Sequence, residues 1–186
     1  MAAPRIVAVA VAGEGVLALV ALAWSWALAV PLPIGTWLGG TATGLAAAAA
    51  LAAINYALLR FAPEIWPFTS VRDLYRVVLR PLFAGIDLPG ILAIALAAGV
   101  GEELLFRGAV QGEFGWPTAA IVFGLAHTGS RRFLGFGVWA GVIGAGLGWL
   151  FRVSGGLVAP VVAHAVYDAL ALAYVRWAPA EEEDAS

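Results

Sequence analysis

The 186-residue chain contains no cysteine and no lysine. Without cysteine there are no disulfides, thiolate metal sites or sulfur nucleophiles, and the redox compartment stays undetermined. The ten cationic residues are all arginine and form no basic cluster of the kind nucleic acid requires. Charged residues make up only 12% of the chain, with two histidines and a formal net charge of −2. Apolar residues are abundant: 62% are hydrophobic and the mean hydropathy is +0.93, outside the range of soluble globular domains. The composition predicts an integral membrane protein.

The apolar residues fall into segments of spanning length. The first, 6–30, is interrupted only by Glu14, and its length and thin positive flank predict a retained helix rather than a cleaved signal. Pro31 and Pro33 end it. A second span, 37–59, is rich in alanine and glycine, which suits close packing in lipid. From Ser70 the pattern becomes amphipathic: Val71, Leu74, Tyr75, Val78, Leu79 and Leu82 share one face, and Arg72, Arg76 and Arg80 share another. This predicts an interfacial helix capped by Ser70 with Asp73, limited by Pro81 and serving as a scaffold on lipid head groups. Further spans are expected at 89–111, 118–129, 133–152 and 157–177, with a break over 112–117 and close-packing glycines Gly135, Gly137, Gly141, Gly144, Gly146 and Gly148 in the fifth. The fold class is therefore all-α: a polytopic membrane helix bundle of about six transmembrane helices plus an amphipathic interfacial helix. It forms a single domain over 1–180, followed by a solvated acidic tail, 181–186. Arginine distribution places both termini in the cytoplasm if all six segments cross the cell (inner) membrane.

Ionisable groups within such segments are costly and usually functional. Glu102, Glu103 and Arg107 lie in the third span, His127 follows Phe123 in the fourth, and His164 and Asp168 lie in the sixth. Glu103 with Arg107, Phe123 with His127, and His164 with Asp168 are each four apart, so each pair shares a helix face. At about 1.5 Å per residue, Glu102 is expected about 10 Å below the outer surface, with His164 about 12 Å and His127 about 15 Å from the outer ends of their helices. The three helices thus put their polar groups at one level, in the outer half of the bilayer. Adjacent carboxylates resist double ionisation and leave one available as a base. A glutamate and a histidine sharing a water suit hydrolysis of an amide bond, and a second imidazole suits a developing oxyanion. Glu102, His127 and His164 are also acceptable zinc ligands, although the compact His-Glu-x-x-His helix is missing, so metal dependence stays open.

The ordered motifs Glu102-Glu103-x-x-x-Arg107, Phe123-x-x-x-His127 and His164-x-x-x-Asp168 resemble those of the CAAX protease and bacteriocin-processing family of intramembrane endopeptidases, over about residues 89–177 and so half the chain. The resemblance implies that Glu102 and His127 activate water, that His164 with Asp168 stabilises the oxyanion, and that Glu103 and Arg107 support the site. Family members often carry asparagine where this chain has Asp168; an ionised aspartate would repel an oxyanion, so Asp168 serves protonated or orients His164. The substrate is expected to be a membrane protein or lipidated peptide, with C-terminal sorting segments favoured by the outer-half depth, as in the small myxosortase-type members. Two other classes remain: a proton- or ion-coupled carrier, against which no internal repeat is visible, and a non-catalytic membrane partner or immunity protein.

Overall fold

A computed structural model describes residues 2–178, so the acidic tail at 181–186 lies outside the described residues. The chain forms seven principal helices among them, and no strand. These are α1 (Ala3–Ala27), α2 (Trp37–Phe61), α3 (68–83), α4 (Leu88–Phe114), α5 (Trp116–Ala126), α6 (Leu134–Ser154) and α7 (Val158–Trp177). Five of them, α1, α2, α4, α6 and α7, are long and apolar enough to cross a bilayer. Large apolar side chains face outward along them, including Leu19, Leu38, Leu96 and Val142. Such a surface suits hydrocarbon, where every backbone polar group must be satisfied within the helix. The protein is a multi-pass helical membrane bundle.

Small residues set the helix spacing, and the spacing positions the polar groups. A Cβ on Gly99 would stand 2.7 Å from Ala165 Cβ, so α4 and α7 touch backbone to backbone just where Glu103 meets His164. Gly40 and Gly44 admit Val158, Ala159 and Val162 in the same way, joining α2 to α7. The connection 28–36 is fastened to the start of α7 by Leu157 N–H donating to Pro33 O and Val158 N–H donating to Ile34 O. Apolar clusters fill the remaining space, one around Ile143, Leu147, Ala163 and Tyr167 and another around Phe83, Ile86, Ile91 and Val175.

Several expectations are corrected. The third span does not end at Gln111 with a break over 112–117; α4 runs on to Phe114, and the turn is made by Gly115 alone, at φ +82°, a conformation that favours glycine. Glu102 is consequently the 15th of the 27 residues of α4, about 18 Å from its far end. It lies near the middle of the helix, and the argument for the outer half of the bilayer loses its support. The fourth segment is helical for only 11 residues, Trp116–Ala126, about 16 Å and half the hydrocarbon thickness. Its remainder, 127–130, is irregular and leads into a short 3-10 turn at Arg131–Phe133. Irregular backbone is tolerated at membrane depth where it is covered by protein or lines a cavity.

The interfacial helix also differs. Ser70 does not cap it: the helix begins at Phe68, and Ser70 Oγ donates to Arg132 O at 2.9 Å while Asp73 pairs with Arg132 at 3.0 Å. Arg72 does not line a solvated face; it is buried and donates to Leu58, Ala62 and Pro63 carbonyls at the end of α2. These carbonyls cluster at and just beyond the C-terminal end of α2, where intrahelical donors run out, so the guanidinium acts as a cap. Pro81 does not stop α3, because a π-helical stretch at Leu74–Leu79 ends just before it and Pro81 falls in the opening turn of the next α-helical segment, where its missing N–H is tolerated.

Candidate active site

Glu103 is the centre of a buried ion network. It follows Gly99 by one turn on the face of α4 that meets α7, and both it and Arg107 are 0% exposed. Its Oε1 accepts a hydrogen bond from His164 Nδ1 at 2.7 Å, and its Oε2 lies 3.1 Å from Arg107 Nε. The latter contact has the distance of an ion pair without hydrogen-bond alignment. The guanidinium stacks over the Phe123 ring, 4.5 Å from its centroid, which adds a cation–π attraction at a fully buried position. Arg107 belongs to a second π-helical stretch, Leu104–Val110. Such widened turns are uncommon and tend to occur at functional positions.

His127 sits at the C-terminal end of α5, one turn after Phe123. Its Nδ1 lies 2.8 Å from the Phe123 carbonyl oxygen. A carbonyl can only accept, so Nδ1 carries the proton and Nε2 of the neutral ring is left as an acceptor. The imidazole stacks on Phe123 at 4.4 Å between centroids, which fixes its plane. Nε2 then faces Glu102 Oε2 across 3.7 Å. That gap is too long for a direct hydrogen bond and allows one water to contact both atoms at about 2.8 Å. Unlike Glu103, Glu102 retains 13% exposure and His127 27%, so both can meet a reactant.

His164 is held between two carboxylates, with Nδ1 on Glu103 and Nε2 3.5 Å from Asp168 Oδ2. Asp168 faces the imidazole and is placed to orient it. The structure thus brings Glu102 to His127, and Glu103 to Arg107 and His164, with Asp168 beside His164. It does not gather Glu102, His127 and His164 as ligands of one ion. Both nitrogens of His164 face carboxylates, and among the described residues no three acidic or imidazole side chains are arranged around a common metal position. The donor set does not fit zinc.

Two cavities meet at Glu102 and His127, which line both. One is an apolar cleft of about 730 Å³ whose walls include Leu17 and Val20 of α1, Leu105 and Val110 of α4, and Val122 of α5. The other is a pocket of about 170 Å³ reached by His164 and Asp168 and walled by Tyr75 and Leu79 of α3 with Tyr167. Tyr75 and Leu79 are site residues that the sequence pattern did not reveal. Their apolar periodicity reads as burial against lipid or core, and the π-helical stretch that carries them leaves no mark in the pattern.

The Phe123 ring is itself braced by Phe106 at 4.9 Å and by the bare backbone of Gly144, where a Cβ would stand 3.0 Å from Cδ1. Gly144→Val is therefore expected to push the ring off His127, lowering the melting temperature in detergent by an amount equivalent to about 1–3 kcal/mol. Gly146→Val is the control, since nothing lies within 4 Å of a Cβ there. Equal melting of the two variants would show that Phe123 does not need this support.

The geometry therefore belongs to a polytopic membrane protein with an acid–imidazole centre at mid-helix depth. Comparison with known proteins finds a similarity to a family: residues 84–170 match the family described as Type II CAAX prenyl endopeptidase Rce1-like, and this stretch contains every site residue predicted from the motifs. A Bacillus subtilis protein described as uncharacterized protein YpbD is 29% identical over 99 residues, which cover 53% of this chain and 52% of the relative. The match spans about half the length of that relative. No solved structure matches the chain.

Proposed function

We propose that this protein is an intramembrane endopeptidase that hydrolyses a peptide bond in a membrane-associated protein with water activated by Glu102 and His127. The observation that carries the reading is the 3.7 Å approach of Glu102 Oε2 to His127 Nε2 where the two cavities join. In the proposed step Glu102 removes a proton from a water held by both side chains, and the water oxygen bonds to the scissile carbonyl carbon. The carbon–nitrogen bond then breaks, and the proton passes from Glu102 to the departing amine. His164 lines the smaller pocket, and in the proposed step its Nε2–H turns from Asp168 to the developing oxyanion, with Glu103 holding Nδ1 and Arg107 pairing with Glu103. No metal takes part in this scheme.

The apolar cleft supports a substrate whose peptide bond adjoins a strongly hydrophobic element. A C-terminal sorting or anchor segment and a lipidated CAAX-like end both have that character. We place both termini on the cytoplasmic side of the cell membrane, following the arginine bias. Co-expression with candidate substrates of each kind, using wild type and His127→Ala with product masses as the readout, tests the proposal. Product with wild type and none with His127→Ala is the expected result. Equal processing by both would remove the water-activating pair. Absence of product with every substrate, together with proton-coupled solute uptake by wild-type vesicles, would favour a carrier.

A further inference from the structure

Glu14 is the one acidic residue of α1 and lies outside the stretch that matches the Rce1-like family. A lone carboxylate in a spanning helix needs a reason, and lipid-facing snorkelling does not supply it, because Oε2 is buried and has no hydrogen-bond donor among the described residues. Three observations place it at the catalytic centre. A Cβ on Gly101 would stand 2.5 Å from the Glu14 carbonyl oxygen and 3.0 Å from its Oε2, so α1 is pressed against α4 at the residue preceding Glu102. Val7 and Ala10 of α1 pack in one cluster with Leu172 and Val175 of α7. The two helices are antiparallel, so the next turn of α1 brings Glu14 level with Asp168. Glu14 is also close enough to interact electrostatically with His164 and Asp168 and with Glu102.

We propose that Glu14 is a positioning residue of this centre, a fourth carboxylate that holds Glu102 and Asp168 in their working orientations through shared hydrogen bonding from α1. An enclosed carboxyl oxygen without a donor is costly. Two carboxyl groups that share a hydrogen, directly or through a water, relieve that cost and fix each other's rotamers. The inference rests on the proposed role of Glu102 as base. It also explains why a helix outside the family stretch is pinned against α4 at Gly101.

The test begins with Glu14→Gln, Glu14→Asp and Glu14→Ala, with the exposed Glu113→Gln as control, assayed for kcat and KM on a substrate found as above. The expected result is a kcat at least tenfold lower in Glu14→Gln and Glu14→Ala at a KM within threefold of wild type, with part of the kcat restored in Glu14→Asp. An unchanged kcat would overturn the proposal, as would parallel losses of kcat and melting temperature that Glu14→Asp does not relieve. A second measurement needs no turnover. A carboxylic acid in apolar surroundings adds across a C=N bond of the apolar reagent dicyclohexylcarbodiimide, its oxygen bonding to carbon and its proton passing to nitrogen. The acyl group of the O-acylisourea then shifts from oxygen to nitrogen to leave a stable N-acylurea. The rate of labelling at Glu14, read by mass spectrometry, is expected to change severalfold in Glu102→Gln and in Asp168→Asn. Identical rates in all three proteins would overturn the inference, whereas altered rates in a protein that cleaves nothing would count against the protease reading alone.

Discussion

Glu102→Gln is expected to lower peptide cleavage by about 10²–10⁴-fold, the contribution typical of a general base, while leaving the bundle folded. Glu102 makes no hydrogen bond to the protein through its inner oxygen and reaches His127 only at 3.7 Å. The substitution keeps the shape of the side chain and replaces a proton-accepting oxygen by an amide NH2 that cannot act as a base. Product formation in membranes or detergent measures the first effect, and a melting curve on the same preparation measures the second. Cleavage within a few-fold of wild type would assign the base to another group. A large fall in melting temperature would show that Glu102 is structural.

The neighbouring residue should behave in the opposite way. Glu103→Gln leaves the fully buried Arg107 guanidinium without its paired counter-charge and weakens the contact that holds His164. Breaking a buried pair by removing one partner costs about 3–5 kcal/mol. For a protein of this length that corresponds to a fall in melting temperature of roughly 6–20 °C, with activity lost as well. Arg107→Leu, which instead strands the carboxylate, should fall in the same range, and the double variant Glu103→Leu with Arg107→Leu should recover part of the stability because no unpaired charge remains. The measurement is thermal unfolding in a fixed detergent across the four proteins. Melting of Glu103→Gln within a few degrees of wild type would show that the network is stabilised by groups other than this pair.

The contrast between two consecutive glutamates could be read only partly from the chain. The four-residue spacings Glu103–Arg107, Phe123–His127 and His164–Asp168 do place each pair on one helix face, and the structure has each pair in contact. Helix spacing is a local rule, and these pairs obey it. Which helix faces which is not local. That His164 reaches Glu103 rather than Glu102 follows from the Gly99–Ala165 contact, which no periodicity predicts. The end of α4 and the start of α5 differ from the pattern because Gly112, Gly115 and Pro117 all look like breaks, and only Gly115 takes a positive φ. Tyr75, Leu79 and Glu14 escaped because their neighbours at the site are distant in sequence. Glu14 has no ionisable residue three or four positions away to suggest a partner.

The cleft between α1 and α5 opens sideways: Val20, Phe114 and Val122 on its walls remain exposed on the bundle surface, where the surroundings are lipid tails. On the proposed function, acyl chains would compete for the groove that a substrate enters, and each binding event would be an exchange of one hydrocarbon for another. Affinity in such a groove is set by a mole fraction within the membrane plane, and diluting the membrane with inert lipid or detergent slows the reaction as surely as diluting the substrate.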